Sequence, residues 1–362
     1  MLSKSPFILS FLLLLTLPLL FVLVPRILPP KTLPSIPDPD EIDDLALFRR
    51  ATLASAGGGS GGPDAGLRRR PASPPKIAFL FLTNSDFSFA PLWEKFFEGH
   101  GRLMNVYVHA DPAAHLHLPA TPSFRGRFIP AKATQRASAT LISAARRLLA
   151  AALLDDPANA FFAVVSQHCI PLHSFRFVYH ALLADAGAPP SSTSGGRLRR
   201  RHRSFIEILS GDPMLRDRYN ARGENVMLPE VPFERFRVGS QFFILARRHA
   251  VLVVRDRRLW KKFRMPCLKS MEDSCYPEEH YFPTLLDMQD PDGCTHYTLT
   301  RVNWTGSVGG HPHTYHPPEI SGDLIRVLRK SNSTYSYLFA RKFSSDCLDP
   351  LLEIADTVIF RD

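Results

Sequence analysis

Three short segments of the chain combine residue types that could act together. In Cys275-Tyr276-Pro277-Glu278-Glu279-His280, a proline able to open a helix is followed by two carboxylates in the first turn. Such carboxylates complement the helix dipole, or one of them serves as a general base where it faces a cleft. In Leu338-Phe339-Ala340-Arg341-Lys342-Phe343, two adjacent cations are embedded in apolar residues. That setting suits either the capture of an anion or a snorkelling surface pair. In Thr300-Arg301-Val302-Asn303-Trp304-Thr305, a strand end carries an indole that either packs in a core or offers a stacking face. A base and a cationic patch are what a group transfer with an anionic leaving group requires.

Other chemistries are poorly supplied. The five cysteines (Cys169, Cys267, Cys275, Cys294, Cys347) form no CxxC pair, which argues against a zinc ribbon. In an oxidising compartment they allow up to two disulfides and one free thiol, with connectivity open. The Asp-x-Asp matches are Asp38-Pro39-Asp40 and Asp290-Pro291-Asp292, and neither ends a strand of the first half. Both read as acidic turns, so no metal is expected and side-chain cations are left to neutralise an anion. The net charge of +10, from 44 basic and 34 acidic residues, is compatible with nucleic acid, a membrane surface or an anionic small molecule. Much of the excess lies in Arg68-Arg69-Arg70 and in the 197–203 run, beside Gly, Ser and Pro clusters. These are solvated loops, and no nucleic-acid partner is expected.

The elements that must position these residues begin at Lys76. The apolar runs Ile77–Thr83, Val106–Val108 and Phe161–Val165 read as buried strands. Between them, Leu92, Trp93, Phe96 and Phe97 recur at helical spacing before Gly99, and residues 135–154 form an Ala/Leu/Arg helix. This alternation predicts an α/β fold with a largely parallel sheet covered on both faces. Ligands then lie at the carboxyl ends of the strands, which places Thr83, Asp111 and Ser166 at one crevice. Further strands are expected at Ser204–Ile208 and Ser240–Leu245, and a helix near Pro277. Upstream, residues 7–24 are apolar and uncharged, long enough for a transmembrane signal anchor after a cytoplasmic tail of residues 1–6. A cleaved signal peptide is the alternative. Residues 25–75, rich in Pro and Gly, read as a flexible stem unable to order itself, and residues 76–362 as the globular domain. Asn303-Trp304-Thr305 and Asn332-Ser333-Thr334 fit the N-glycosylation pattern of a lumenal domain.

Taken in order, a set of motifs resembles the core-2/I-branching β-1,6-N-acetylglucosaminyltransferase family, above all its plant branch. They are Phe79-Leu80-Phe81-Leu82-Thr83, Ala90-Pro91-Leu92-Trp93, Val106-Tyr107-Val108-His109-Ala110 and Cys169-Ile170-Pro171-Leu172, then Arg203-Ser204-Phe205-Ile206-Glu207, Val238-Gly239-Ser240-Gln241-Phe242, Pro277-Glu278-Glu279-His280-Tyr281 and Phe339-Ala340-Arg341-Lys342-Phe343. The resemblance implies a GT-A-like domain and a Golgi, single-pass type II enzyme. That enzyme would move a sugar from a UDP-sugar onto a glycan or proteoglycan hydroxyl, with inversion and without a metal or other cofactor. It implies Glu279 as general base, Lys342 on the donor diphosphate, Asp111 near the uridine with Thr83 beside it, Trp304 on the acceptor side and Gly239-Ser240 as its loop. The family carries a second diphosphate cation, an arginine, upstream of the Ala-x-Lys-Phe segment. The contextual match here is His316, with Arg341 or Arg326 as substitutes. That departure keeps an alternative open, a lumenal carbohydrate- or nucleotide-sugar-binding protein of the same fold with weak or no catalysis.

Overall fold

The computed structural model describes Leu14, Thr16 and residues 39–57, 73–183, 202–307 and 310–362. The expected anchor at 7–24 lies outside these residues apart from Leu14 and Thr16, and no helix among the described residues is long and apolar enough to cross a membrane. The chain divides into two units, residues 1–44 and 45–362.

The second unit is built on a six-stranded sheet. Strands β1 (Lys76–Thr83), β2 (Met104–Ala110), β3 (Asn159–Ser166), β5 (Ser204–Glu207), β6 (Ile244–Ala246) and β7 (Cys294–His296) lie in the order β2-β1-β3-β6-β5-β7. The pairs β1–β2, β1–β3 and β5–β7 are parallel, and only β6 runs antiparallel to its neighbours β3 and β5. The first three strands match the apolar runs because both faces are covered: Ile77 to Phe81 are all fully buried. A second sheet, in the order β4-β9-β8, joins β4 (Ile170–Pro171), β8 (Thr300–Val302) and β9 (Phe339–Arg341). β9 is thus held on both edges, by Ile170 and Pro171 on one side and by β8 on the other. The expected α/β domain with a mostly parallel sheet is observed, an architecture that fits a GT-A-like domain.

The chain's many phenylalanines converge where the two sheets meet. Phe79 of β1 packs edge-on against Trp93, Phe96, Phe97 and Phe339, with ring centroids 5.0–6.2 Å apart. Such pairs add roughly 0.5–1.5 kcal/mol each beyond the burial of their area. Their effect is to fix Phe339, and with it the start of the Ala340-Arg341-Lys342 segment.

Some boundaries moved. Helix α1 (Pro39–Gly57) runs through the segment read as an unordered stem. Within the second unit its Phe48 and Ala51 are buried, and the Arg146 guanidinium lies 4.5 Å over the Phe48 ring. Burial of these few apolar residues orders a stretch whose own composition would not. Helix α2 (Ala90–Phe97) follows the apolar spacing, and Gly99 beyond it takes φ 76°, the left-handed geometry of a helix stop. Helix α3 (Ala139–Asp155) starts later than position 135, because Ser138 is its N-cap and accepts from the Thr140 amide at 3.2 Å. The Ser240–Leu245 strand shrinks to β6, since Ser240 Oγ accepts from the Phe242 amide in a turn. Helix α4 spans Phe175–Leu183, α5 Arg247–Arg255, and α6 (Pro277–Gln289) opens at Pro277 as expected. One disulfide, Cys267–Cys275, staples the loop that leads into α6, and Cys169, Cys294 and Cys347 are free and buried.

Candidate active site

The strand ends of both sheets and the first turn of α6 enclose a cavity of about 230 Å³. Thr83 closes β1, Ser166 and Gln167 follow β3, Glu278 and Glu279 come from α6, and Arg341 and Lys342 from the end of β9. Trp304 and His311 belong to the segment after β8, and Arg136 to the loop before α3. A larger cavity of about 320 Å³ elsewhere, lined by residues such as Phe161, His202, Tyr297 and Tyr335, gathers no carboxylate. The chemistry is concentrated in the smaller one.

Glu279 is placed by backbone rather than by a side-chain partner. Its carbonyl accepts from the Gly239 amide at 2.9 Å. Gly239 itself lies so close to the Glu207 carbonyl that a Cβ there would approach it to 2.0 Å, so only glycine allows this contact. Ser240 extends the turn, its Oγ accepting from the amide of cavity-lining Phe242 at 3.1 Å. The Glu279 side chain stays 31% exposed, with the nearest cation, Arg218, 3.9 Å away. Desolvation pushes its pKa above the ordinary value, while Arg218, Arg341 and Arg136 pull against that rise. A carboxylate made more basic, open to a cleft and with only the long 3.9 Å ion pair to Arg218 is suited to accept a proton.

Its neighbour Glu278 is nearly fully buried. One of its oxygens accepts from the Ala137 amide at 3.2 Å and the other has no hydrogen-bond partner. Burial, with a smaller push from Glu279, raises its pKa to about 7. The dipole at the helix N-terminus, which favours the charged form, does not offset the loss of water.

The cations sit across the same cavity. The Arg341 guanidinium lies 4.4 Å over the Phe242 ring, and its pKa is lowered by burial. Lys342 is lowered first by burial and then by Arg341 and Arg136. Its backbone is pinned, with its carbonyl accepting from the Tyr315 amide at 2.8 Å. Among the described residues, no carboxylate lies within ion-pair distance of Arg136, Arg341 or Lys342. Near Thr83, Asp111 sits at the end of β2, its carboxylate accepting from the Thr134 amide and hydroxyl at 2.8 and 2.7 Å. Burial pushes its pKa up, but the bonds from Thr134 and Ala113 outweigh that and hold it below the ordinary value.

Comparison with known proteins gives the chain its family. The profile of the Core-2/I-Branching enzyme family matches residues 77–329. The chain belongs to the core-2/I-branching enzyme family. It is similar to a plant protein, glycosyltransferase BC10 of Oryza sativa subsp. japonica, at 28% identity over 329 residues, covering 77% of this chain and 76% of the relative. As a member of the core-2/I-branching family the chain is a glycosyltransferase, an enzyme class that takes a nucleotide-sugar donor and a glycan acceptor.

Against that family the expected residues fall into three groups. Glu279, Lys342, Arg341, Thr83 and Trp304 line the cavity together, with Trp304 54% exposed as a free face. Asp111, Gly239 and Ser240 stand one layer behind, supporting lining residues rather than lining the cavity themselves. His316 is not brought there. It is exposed at the start of the Pro317–Glu319 turn, its amide donating to Glu319 at 2.8 Å, and this short helical turn holds it away. Arg326 is likewise exposed and paired with Asp323 on its own helix. Of the two glycosylation candidates, Asn332 is exposed, whereas the Asn303 carbonyl oxygen is engaged by the Thr305 amide at 3.0 Å. The residues missed from sequence include Arg136, His168 and His311, none of them in a motif with a recognisable spacing, and Tyr276, which stands in the Cys275–His280 segment but was given no role there. The acidic turn at Asp290 is structural, its carboxylate bonded to Arg248 and His249 at 2.9 and 3.0 Å.

Proposed function

We propose that this glycosyltransferase transfers a sugar from a UDP-sugar to a glycan or proteoglycan hydroxyl in one inverting displacement that needs no metal. Glu279 takes the proton of the acceptor hydroxyl as that oxygen bonds to the anomeric carbon. The bond from that carbon to the diphosphate breaks, and Lys342 with Arg341 stabilises the departing charge. Thr83 and the Thr134 loop braced by Asp111 face the nucleoside, and Trp304 offers a platform to the acceptor. The observation that carries this reading is the open, proton-seeking Glu279 facing two cations that lack a carboxylate partner. Cations of the chain's own supply support the metal-free reading, as does the pairing of Asp290 with Arg248 and His249. A Golgi location with a lumenal domain is part of the proposal. It draws support from the charge-free 7–24 run, the exposed Asn332 sequon and the Cys267–Cys275 disulfide.

The test uses the full chain in detergent, because α1 packs on the domain. Nucleotide release is measured over a panel of UDP-sugars, among them N-acetylglucosamine, glucuronic acid and xylose, with candidate cell-wall and arabinogalactan-type acceptors and EDTA present. Release from one donor is expected, reduced roughly 10²–10⁴-fold by Glu279→Gln. Turnover that survives this substitution removes Glu279 from the role. Binding of UDP without transfer from any donor would favour a binding protein.

A further inference from the structure

Arg136 is a cation of this cavity that no motif marked. It lies two residues after Thr134, which holds Asp111, and two before Ser138, the N-cap of α3. Its guanidinium donates to the Gly310 carbonyl at 2.9 Å, lies 3.2 Å from His311 Nε2 and sits 5.7 Å over the Tyr276 ring. The backbone beside it is constrained. Ala137 takes φ 56°, a region that a residue with a Cβ rarely occupies, and its amide is the one donated to buried Glu278. Strain held in place by a buried side chain, next to a cavity-lining arginine, points to a position maintained for function.

Like charges gathered round one cavity repel, and an anion bound among them relieves that repulsion. Arg136, Arg341 and Lys342 form such a group. We propose that Arg136 binds the diphosphate of the nucleotide-sugar donor together with Lys342 and Arg341, as a further leaving-group cation where His316 was the candidate in the sequence. The planar fork of a guanidinium suits two phosphate oxygens, and Arg136 lines the same cavity as Thr134 and Glu279. This rests on the reading of the cavity as the donor site.

Calorimetry of UDP and of uridine with the full chain tests it. The unaltered protein should bind UDP more tightly than uridine. Arg136→Gln should weaken UDP roughly 10- to 100-fold and leave uridine unchanged, with Arg136→Lys recovering part of the loss. An Arg136→Gln protein that keeps the full preference for UDP, while Lys342→Ala loses it, overturns the role of Arg136 and spares the donor-site reading. Equal weakening of UDP and uridine by Arg136→Gln and by His311→Ala makes Arg136 a tether of the 310–311 backbone, which also overturns it. No preference for UDP in the unaltered protein overturns both.

Discussion

The two ends of helix α6 carry the same kinds of side chain in opposite electrostatic states. At its C-terminal end Asp290 faces Arg248 and His249, and although burial pushes its pKa up, those partners hold it below the ordinary value. At its N-terminal end Glu278 and Glu279 are pushed up by burial, while Arg341 and Lys342 opposite are pushed down. The helix dipole alone predicts the reverse, since carboxylates belong at the N-terminus. Desolvation and pairing outweigh it at both ends. One end is a solved electrostatic problem that contributes stability. The other is left unsolved, which is where a charged substrate and a proton have something to do.

Substitutions should separate these two ends. Lys342→Ala is expected to lower turnover on the order of 10²-fold. Because it also relieves repulsion with Arg341 and Arg136, Tm should be unchanged or raised. A fall in Tm with turnover intact would move Lys342 to the structural end of the comparison. Asp290→Ala should do the opposite, costing roughly 1–3 kcal/mol of stability by leaving Nε2 of buried His249 and Nε of half-buried Arg248 without this partner, with turnover per folded molecule unchanged. Denaturant unfolding beside an activity titration reads both quantities.

The smallest effect concerns Glu278. Its pKa of about 7 in the folded chain lies above the ordinary 4.5, so the native state holds the extra proton between those values. Stability therefore falls as pH rises through that window. Glu278→Gln, which keeps an acceptor for the Ala137 amide, should match the parent near pH 4.5 and exceed it by about 1–2 kcal/mol at pH 8. Parallel Tm curves for the two proteins across pH would show that Glu278 is not held neutral.

Local pattern determined a good part of this protein. Continuous apolar runs specified β1 to β3, because strands covered on both faces need no polar alternation. Pro277 specified the start of α6, because a fixed φ and a missing amide suit a helix opening. The segments around Glu279 and Lys342 already marked the carboxylate and one of the cations that the cavity brings together. Only the tertiary structure decided what those residues meet. That Glu278 is buried with a raised pKa follows from packing against a loop 141 residues earlier, and the same loop brings in Arg136. His316 is turned outward by Glu319, and α1 is ordered by a core formed from later residues. Spacing along the chain encodes which face a side chain takes, whereas desolvation and charge pairing depend on neighbours that only folding brings together.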